Sequence, residues 1–137
     1  NMTFNPKESI DFNGNTGPFI QYTHARIKSI LRKAQQSGYE CKVDSSVEFD
    51  PKEIEIIKLM NQYPQRLSDA GRIYSPAVIA NYAYELAKEF NQYYHDISIL
   101  KEEDQAVRSM RLVLIGKIAE LLTKAMNILG ITLPERM

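Results

Sequence analysis

Residues 16–38, TGPFIQYTHARIKSILRKAQQSG, hold one helix from its start signal to its stop. Pro18 stands near the first turn, where a missing N–H leaves no bond unmade. Ser37-Gly38 provides the reversal on which helices end. Between these signals Phe19, Ile20, Thr23, Ile27, Ile30, Leu31 and Ala34 recur three and four residues apart, and so share the buried stripe of an amphipathic helix. The spacing predicts a helix from about residue 17 to Gln36.

The same grammar repeats further along the chain. Asp50-Pro51-Lys52-Glu53 provides a cap, a proline at the first helical position and an acid at the capping-box position. The helix it opens is expected to bury Ile54, Ile57, Leu59 and Met60 and to end near Tyr63-Pro64. Only a short helical turn is expected over Gln65–Ile73, because Gly71 interrupts it. Ser75-Pro76 opens a third long helix, with Val78, Ile79, Tyr82, Ala83, Leu86, Phe90 and Tyr93 on one face. A last helix is expected from about Glu102 to Leu129, with Val107, Met110, Leu114, Ile118, Leu121, Leu122, Ala125 and Leu129 as its stripe and Gly130 as its stop. No β-alternation and no internal repeat competes with this pattern. The fold class is therefore all-α: an antiparallel helical bundle of four main helices plus a short helical turn. Residues 1–16 read as an extended lead-in and 17–137 as the domain. Asn1 precedes an internal-looking Met2, so the chain is expected to be a piece of a larger protein.

Composition narrows the function classes. With 44% apolar and 25% charged residues, the 137-residue chain can fold as one globular domain. Seventeen Lys/Arg balance seventeen Asp/Glu, which argues against a general nucleic-acid sponge but leaves room for a local basic patch. No apolar run reaches the roughly 20 residues a membrane span needs, so no membrane partner is expected. Cys41 is the one cysteine and has no internal partner; a cytoplasmic location follows as the expectation, with Cys41 a bystander in a loop. His24 and His95 are too few for a zinc site of ordinary spacing. Phosphate-loop, nucleophile-elbow and dinucleotide fingerprints are absent. Neither a catalytic residue, a metal nor a cofactor is expected in this chain, which is built to bind.

Charge is not evenly spread. Between Asp11 and Glu40 there is no acid, yet Arg26, Lys28, Arg32 and Lys33 all fall there. At about 100° per residue, Tyr22, Arg26, Ser29 and Lys33 lie within roughly 60° of one another, on the shoulder of the first apolar stripe. A tyrosine four residues from an arginine sets a stacking surface beside a planar donor fork, the pairing with which proteins read splayed single-stranded bases. The competing reading is a solvated basic face beside a partly buried tyrosine. On the third long helix, Tyr82 and Tyr93 continue the stripe and are expected to pack with wet hydroxyls, while Tyr84 and Tyr94 point away. Arg108 and Arg111 are expected to pair with Glu102, Glu103 or Asp104 at the surface, with little energetic value.

Three stretches carry a family resemblance. Residues 11–27, DFNGNTGPFIQYTHARI, resemble the segment of arginyl-tRNA synthetases where the catalytic domain passes into the anticodon-binding domain. Arg108-Ser109-Met110-Arg111-Leu112-Val113-Leu114, leading into Asn127-Ile128-Leu129-Gly130-Ile131, is similar to that domain's final helix. Pro134-Glu135-Arg136-Met137 is similar to the family's C-terminus. The resemblance spans nearly the whole chain, more loosely in the middle. It implies the DALR-type anticodon-binding domain of an arginine–tRNA ligase, a class I aminoacyl-tRNA synthetase. The implied partners are tRNA(Arg), chiefly its anticodon loop, and the parent's own catalytic domain. The positions that match the family's base contacts are Tyr22, Arg26, Tyr94 and Met137, with Lys33 on the same face as the first two. The resemblance implies that Tyr22 or Tyr94 stacks a base, that Arg26 donates to a base edge or phosphate, and that Met137 closes the pocket. A one-residue slip in the match leaves Tyr93 and Tyr94 as alternatives. The family's His-Ile-Gly-His and Lys-Met-Ser-Lys-Ser signatures are absent here, which places ATP and Mg in a catalytic domain outside this chain. The alternative function is a helical protein–protein interaction module that docks through its tyrosine-bearing face. A stand-alone helical enzyme would need a strongly perturbed acid or base in a pocket, and no motif indicates one.

Overall fold

The computed structural model describes residues 16–137. It contains α1 (Gly17–Gln36), α2 (Pro51–Asn61), α3 (Tyr63–Arg72), α4 (Pro76–Asp96) and α5 (Gln105–Ile128), and no strand among the described residues. The lead-in assigned to residues 1–16 lies, Thr16 excepted, outside those residues. Helices α1, α4 and α5 pack against one another to form the core, while α2 and α3 lean on α4. No helix is long and apolar enough to cross a membrane.

The predicted end of α1 is met at Ser37-Gly38, where Gly38 takes φ +73° and the backbone N–H of Ser37 closes on the Lys33 carbonyl at 3.0 Å. That left-handed turn needs glycine. The capping box of α2 is also present: the Asp50 N–H donates to Glu53 Oε1 at 2.7 Å, and Asp50 Oδ1 accepts from the Lys52 N–H at 2.9 Å. The expected short turn is instead a ten-residue helix, α3. Gly71 lies in its last turn with open space around its Cα, where glycine costs at most about 1 kcal/mol relative to alanine. The ring of Tyr63 packs on that of Tyr82, 5.7 Å between centroids, and so ties α3 to α4.

Four expectations need correction, and all trace to polar groups inside the bundle. Helix α2 buries Glu53, Ile56 and Leu59, whereas Ile54 is 41% exposed. Its inner face follows the acid at position 53, which a reading of apolar spacing skips. Arg111 meets the expected Glu102, its Nη1 donating to Oε1 at 3.0 Å, but it is no surface pair: its Nε donates to Glu53 Oε2 at 2.9 Å, with Glu53 fully buried. Arg108 lays its guanidinium 3.6 Å over the Tyr39 ring and donates to the Glu102 carbonyl rather than to a carboxylate. Nor are the hydroxyls of Tyr82 and Tyr93 wet. Tyr82 Oη donates to the Leu59 carbonyl at 2.7 Å and Tyr93 Oη to Glu53 Oε2 at 2.6 Å, in two residues with no exposed surface. Burial pushes both phenols well above their ordinary pKa, so both act as neutral donors.

Helix α5 starts at Gln105, later than expected, because Asp104 Oδ1 caps it by accepting from the N–H groups of Ala106 and Val107 at 3.0 and 3.1 Å. It buries Leu112, Ile115, Ala119 and Met126 beyond the predicted stripe. A helix wedged between two others must be apolar on more than one side.

Candidate nucleic-acid interface

The shoulder of α1, the last turn of α4 and the C-terminal tail meet around an open cleft of about 470 Å³. Tyr22, Arg26, Ser29 and Lys33 line it from α1, which is the face the helical period assigns them, and Tyr94, Arg136 and Met137 complete it. All five residues singled out from the sequence, Tyr22, Arg26, Lys33, Tyr94 and Met137, are thus brought together in one place. Of the alternatives Tyr93 and Tyr94, Tyr93 is in the core on Glu53, while Tyr94 is 38% exposed and lines the cleft. Tyr84 stands elsewhere, its ring 5.5 Å from that of Phe19.

Arg26 is the centre of the cleft. Its guanidinium carbon lies 4.8 Å from the Tyr22 ring centroid and 5.1 Å from that of Tyr94. Its Nη2 donates to Tyr22 Oη at 2.8 Å and its Nη1 to Asn91 Oδ1 at 2.6 Å. Tyr94 is itself held from below by Phe90, with ring centroids 5.8 Å apart and planes inclined by 17°. Two partly exposed tyrosine rings therefore flank a fixed cation. The cleft residues include four cations, Arg26, Arg32, Lys33 and Arg136, and no carboxylate side chain. In a chain of zero net charge, this gathers cationic side chains at one place.

The tail that closes the cleft is anchored at three successive residues. Leu133 is buried, the Pro134 carbonyl accepts from His24 Nδ1 at 2.7 Å, and the Glu135 carbonyl accepts from Arg32 Nη1 at 3.1 Å. His24 Nε2 lies 3.0 Å from Thr123 Oγ1 of α5. Burial is the chief cause holding the His24 imidazole below the ordinary histidine range. The bond to the Pro134 carbonyl opposes it, Lys28 reinforces it and Glu135 opposes it weakly. A histidine whose folded pKa is depressed stabilises the fold above its unfolded pKa of about 6.5, and that contribution is lost as pH falls below this value towards the folded one. Acidification from pH 7.5 to 5.0 should therefore destabilise the protein more than the His24→Gln variant. Denaturant midpoints of the two proteins at both pH values check this, and equal losses would remove His24 from the cause.

Two side chains that hold the cleft's walls, His24 and Asn91, were not singled out from the sequence. His24 falls about 40° from Ile20 on the helical wheel, inside the apolar stripe, so its burial was available from spacing. Asn91 shares a face of α4 with Ala87 and Tyr94 by three- and four-residue spacing, but nothing local marks it as a partner of α1.

The family model described as the DALR anticodon binding domain matches residues 20–137. The arginine–tRNA ligase of Porphyromonas gingivalis is 52% identical over 139 aligned residues, which cover 100% of this chain and 23% of that protein. The arginine–tRNA ligase of Flavobacterium psychrophilum is 51% identical, covering 99% of this chain and 22% of its own length. Among solved structures, the arginyl-tRNA synthetase of Thermus thermophilus matches with a TM-score of 0.80 at 32% identity, covering 98% of this chain and 23% of that one. The chain thus spans less than a quarter of the length of these three relatives.

Proposed function

The chain belongs to the DALR anticodon binding domain family, and from that premise we propose that it is the tRNA-binding end of an arginine–tRNA ligase, gripping the anticodon loop of an arginine tRNA in the cleft at Arg26. The observation that carries this reading is the cleft itself: two partly exposed tyrosine rings flank one oriented guanidinium, among four cationic and no acidic side chains. An unstacked base has a π-face for Tyr22 or Tyr94 and polar edges for Arg26. Arg32, Lys33 and Arg136 supply charge for the phosphates on either side. Met137, 73% exposed at the rim, closes over the base.

In the parent enzyme this grip would hold the tRNA while a separate catalytic domain, the partner of this one, joins arginine to it with ATP and Mg. Among the described residues no group of three His, Cys, Asp or Glu side chains could hold a metal ion, and the sequence has no phosphate loop.

Salt tests the reading. Binding of the chain to a labelled arginine-tRNA anticodon stem-loop should weaken steeply with added salt. If Arg32, Lys33 and Arg136 each meet one phosphate, the log–log slope is about −2, at roughly −0.7 per single-strand phosphate. A slope near zero would favour a protein-docking surface held by aromatic anchors instead.

A further inference from the structure

Asn91 lies just behind the cleft, on α4, and does not line it. Its amide has no freedom to turn over. Asn91 Nδ2 donates both to the Ala87 carbonyl and to Thr23 Oγ1, each at 2.8 Å. A carbonyl can only accept. The Thr23 hydroxyl has its one proton committed to the Phe19 carbonyl at 2.8 Å, so towards Asn91 it also accepts. With both hydrogens of the amide used in this way, Oδ1 is the atom that must face Arg26, and it accepts from Arg26 Nη1 at 2.6 Å. On the other side of the guanidinium, Tyr22 Oη accepts from Nη2. Two different acceptors thus fix both terminal nitrogens and, with them, the plane of the group. The Nε–H and the second hydrogen on each Nη have no partner among the described residues, and their directions are set.

We propose that Asn91 is a positioning residue for base recognition: without touching RNA it aims the free N–H groups of Arg26, and so governs which base is accepted rather than how strongly phosphates are attracted. This rests on the anticodon-loop reading above. Direction matters because hydrogen bonds weaken steeply once misaligned, whereas a point charge attracts phosphate from any angle. A guanidinium freed on one side keeps its charge and loses its geometry. Thr23, which is buried, extends the same device to the backbone of α1, so the aim of Arg26 is referred to the rigid core rather than to a loop.

The test compares the chain with its Asn91→Ala and Asn91→Asp variants against two anticodon stem-loops, one native and one with the central anticodon base changed. Asn91→Ala should lower the ratio of the two affinities about tenfold, the scale of one hydrogen bond to a charged group, with the salt slope unchanged and the protein still folded at the assay temperature. Asn91→Asp keeps an acceptor for Arg26 but sets a second oxygen, which has no proton to donate, against the Ala87 carbonyl and Thr23 Oγ1, and adds a negative charge beside the cleft. It should weaken both loops and, with the tether to Thr23 lost, lower the ratio as well. A readout without RNA accompanies these: rotation of the Arg26 guanidinium about its Nε–Cζ bond, followed by nitrogen NMR, should be faster in Asn91→Ala than in the wild type. Equal loss of both loops in Asn91→Ala, or an unchanged ratio, overturns the positioning role while the anticodon reading stands. A wild-type protein that does not distinguish the loops overturns both.

Discussion

Replacing Arg111 with leucine should lower the unfolding free energy by about 3–5 kcal/mol, the cost of removing one partner from a buried ion pair. The Glu53 side chain is 1% exposed and that of Arg111 14%, so water screens the pair little and cannot replace the lost cation. In the variant, Glu53 keeps the Tyr93 hydroxyl and the Asp50 N–H, but these neutral donors do not cancel its charge. The damage reaches three elements, because Glu53 caps α2, Tyr93 belongs to α4 and Arg111 to α5. Substituting Glu53→Gln in the same molecule removes the stranded charge and should restore part of the loss, so the two substitutions will not add. Urea unfolding of the single and double variants measures both effects. A loss below about 1 kcal/mol, the usual worth of an exposed pair, would show that the site is wet.

Arg26→Ala should cut the preference for the native anticodon loop by about 1–3 kcal/mol, the range for losing a charged hydrogen bond or a stacked base contact. The substitution removes the donor fork and the cation that the rings of Tyr22 and Tyr94 flank. It leaves Arg32, Lys33 and Arg136 in place, so binding to a mismatched loop should change much less, and the salt slope by less than one phosphate contact. Folding stability should move little, since Arg26 is only partly buried and its bonds run along the rim of the bundle. Fluorescence titration with both loops reads the preference directly. An equal loss for both would reduce Arg26 to one more phosphate cation.

What could be read from the sequence divides along physical lines. Helix α1 was legible because its stripe, its proline start and its glycine stop are all local. So was half of the cleft: Tyr22, Arg26, Ser29 and Lys33 share a face by the geometry of a single helix. The arrival of Tyr94 and Met137 at that face depends on how α4 and the tail pack, which no helical period encodes; the family resemblance supplied those two. On helix α2 the expected Leu59 is buried and Ile57 and Met60 pack against the core, but Glu53 and Ile56 take the inner place expected of Ile54, because hydropathy ranks an acid as surface. The partner that makes its burial tolerable, Arg111, is 58 residues away. Asn91 is hidden for the same reason: its meaning lies in a hydrogen bond spanning 65 residues to Arg26. Polar groups that hold distant elements together are the part of this fold that local pattern does not reveal.

The most direct test of the anticodon reading is equilibrium binding of the unmodified chain to the native arginine-tRNA anticodon stem-loop and to the same loop with its central anticodon base changed, at one fixed salt concentration. A preference for the native loop of roughly tenfold or more, the scale of one good base contact, is the expected result. Equal affinity for the two loops, or no binding to either by a folded chain at high concentration, would contradict the claim that this cleft reads an anticodon.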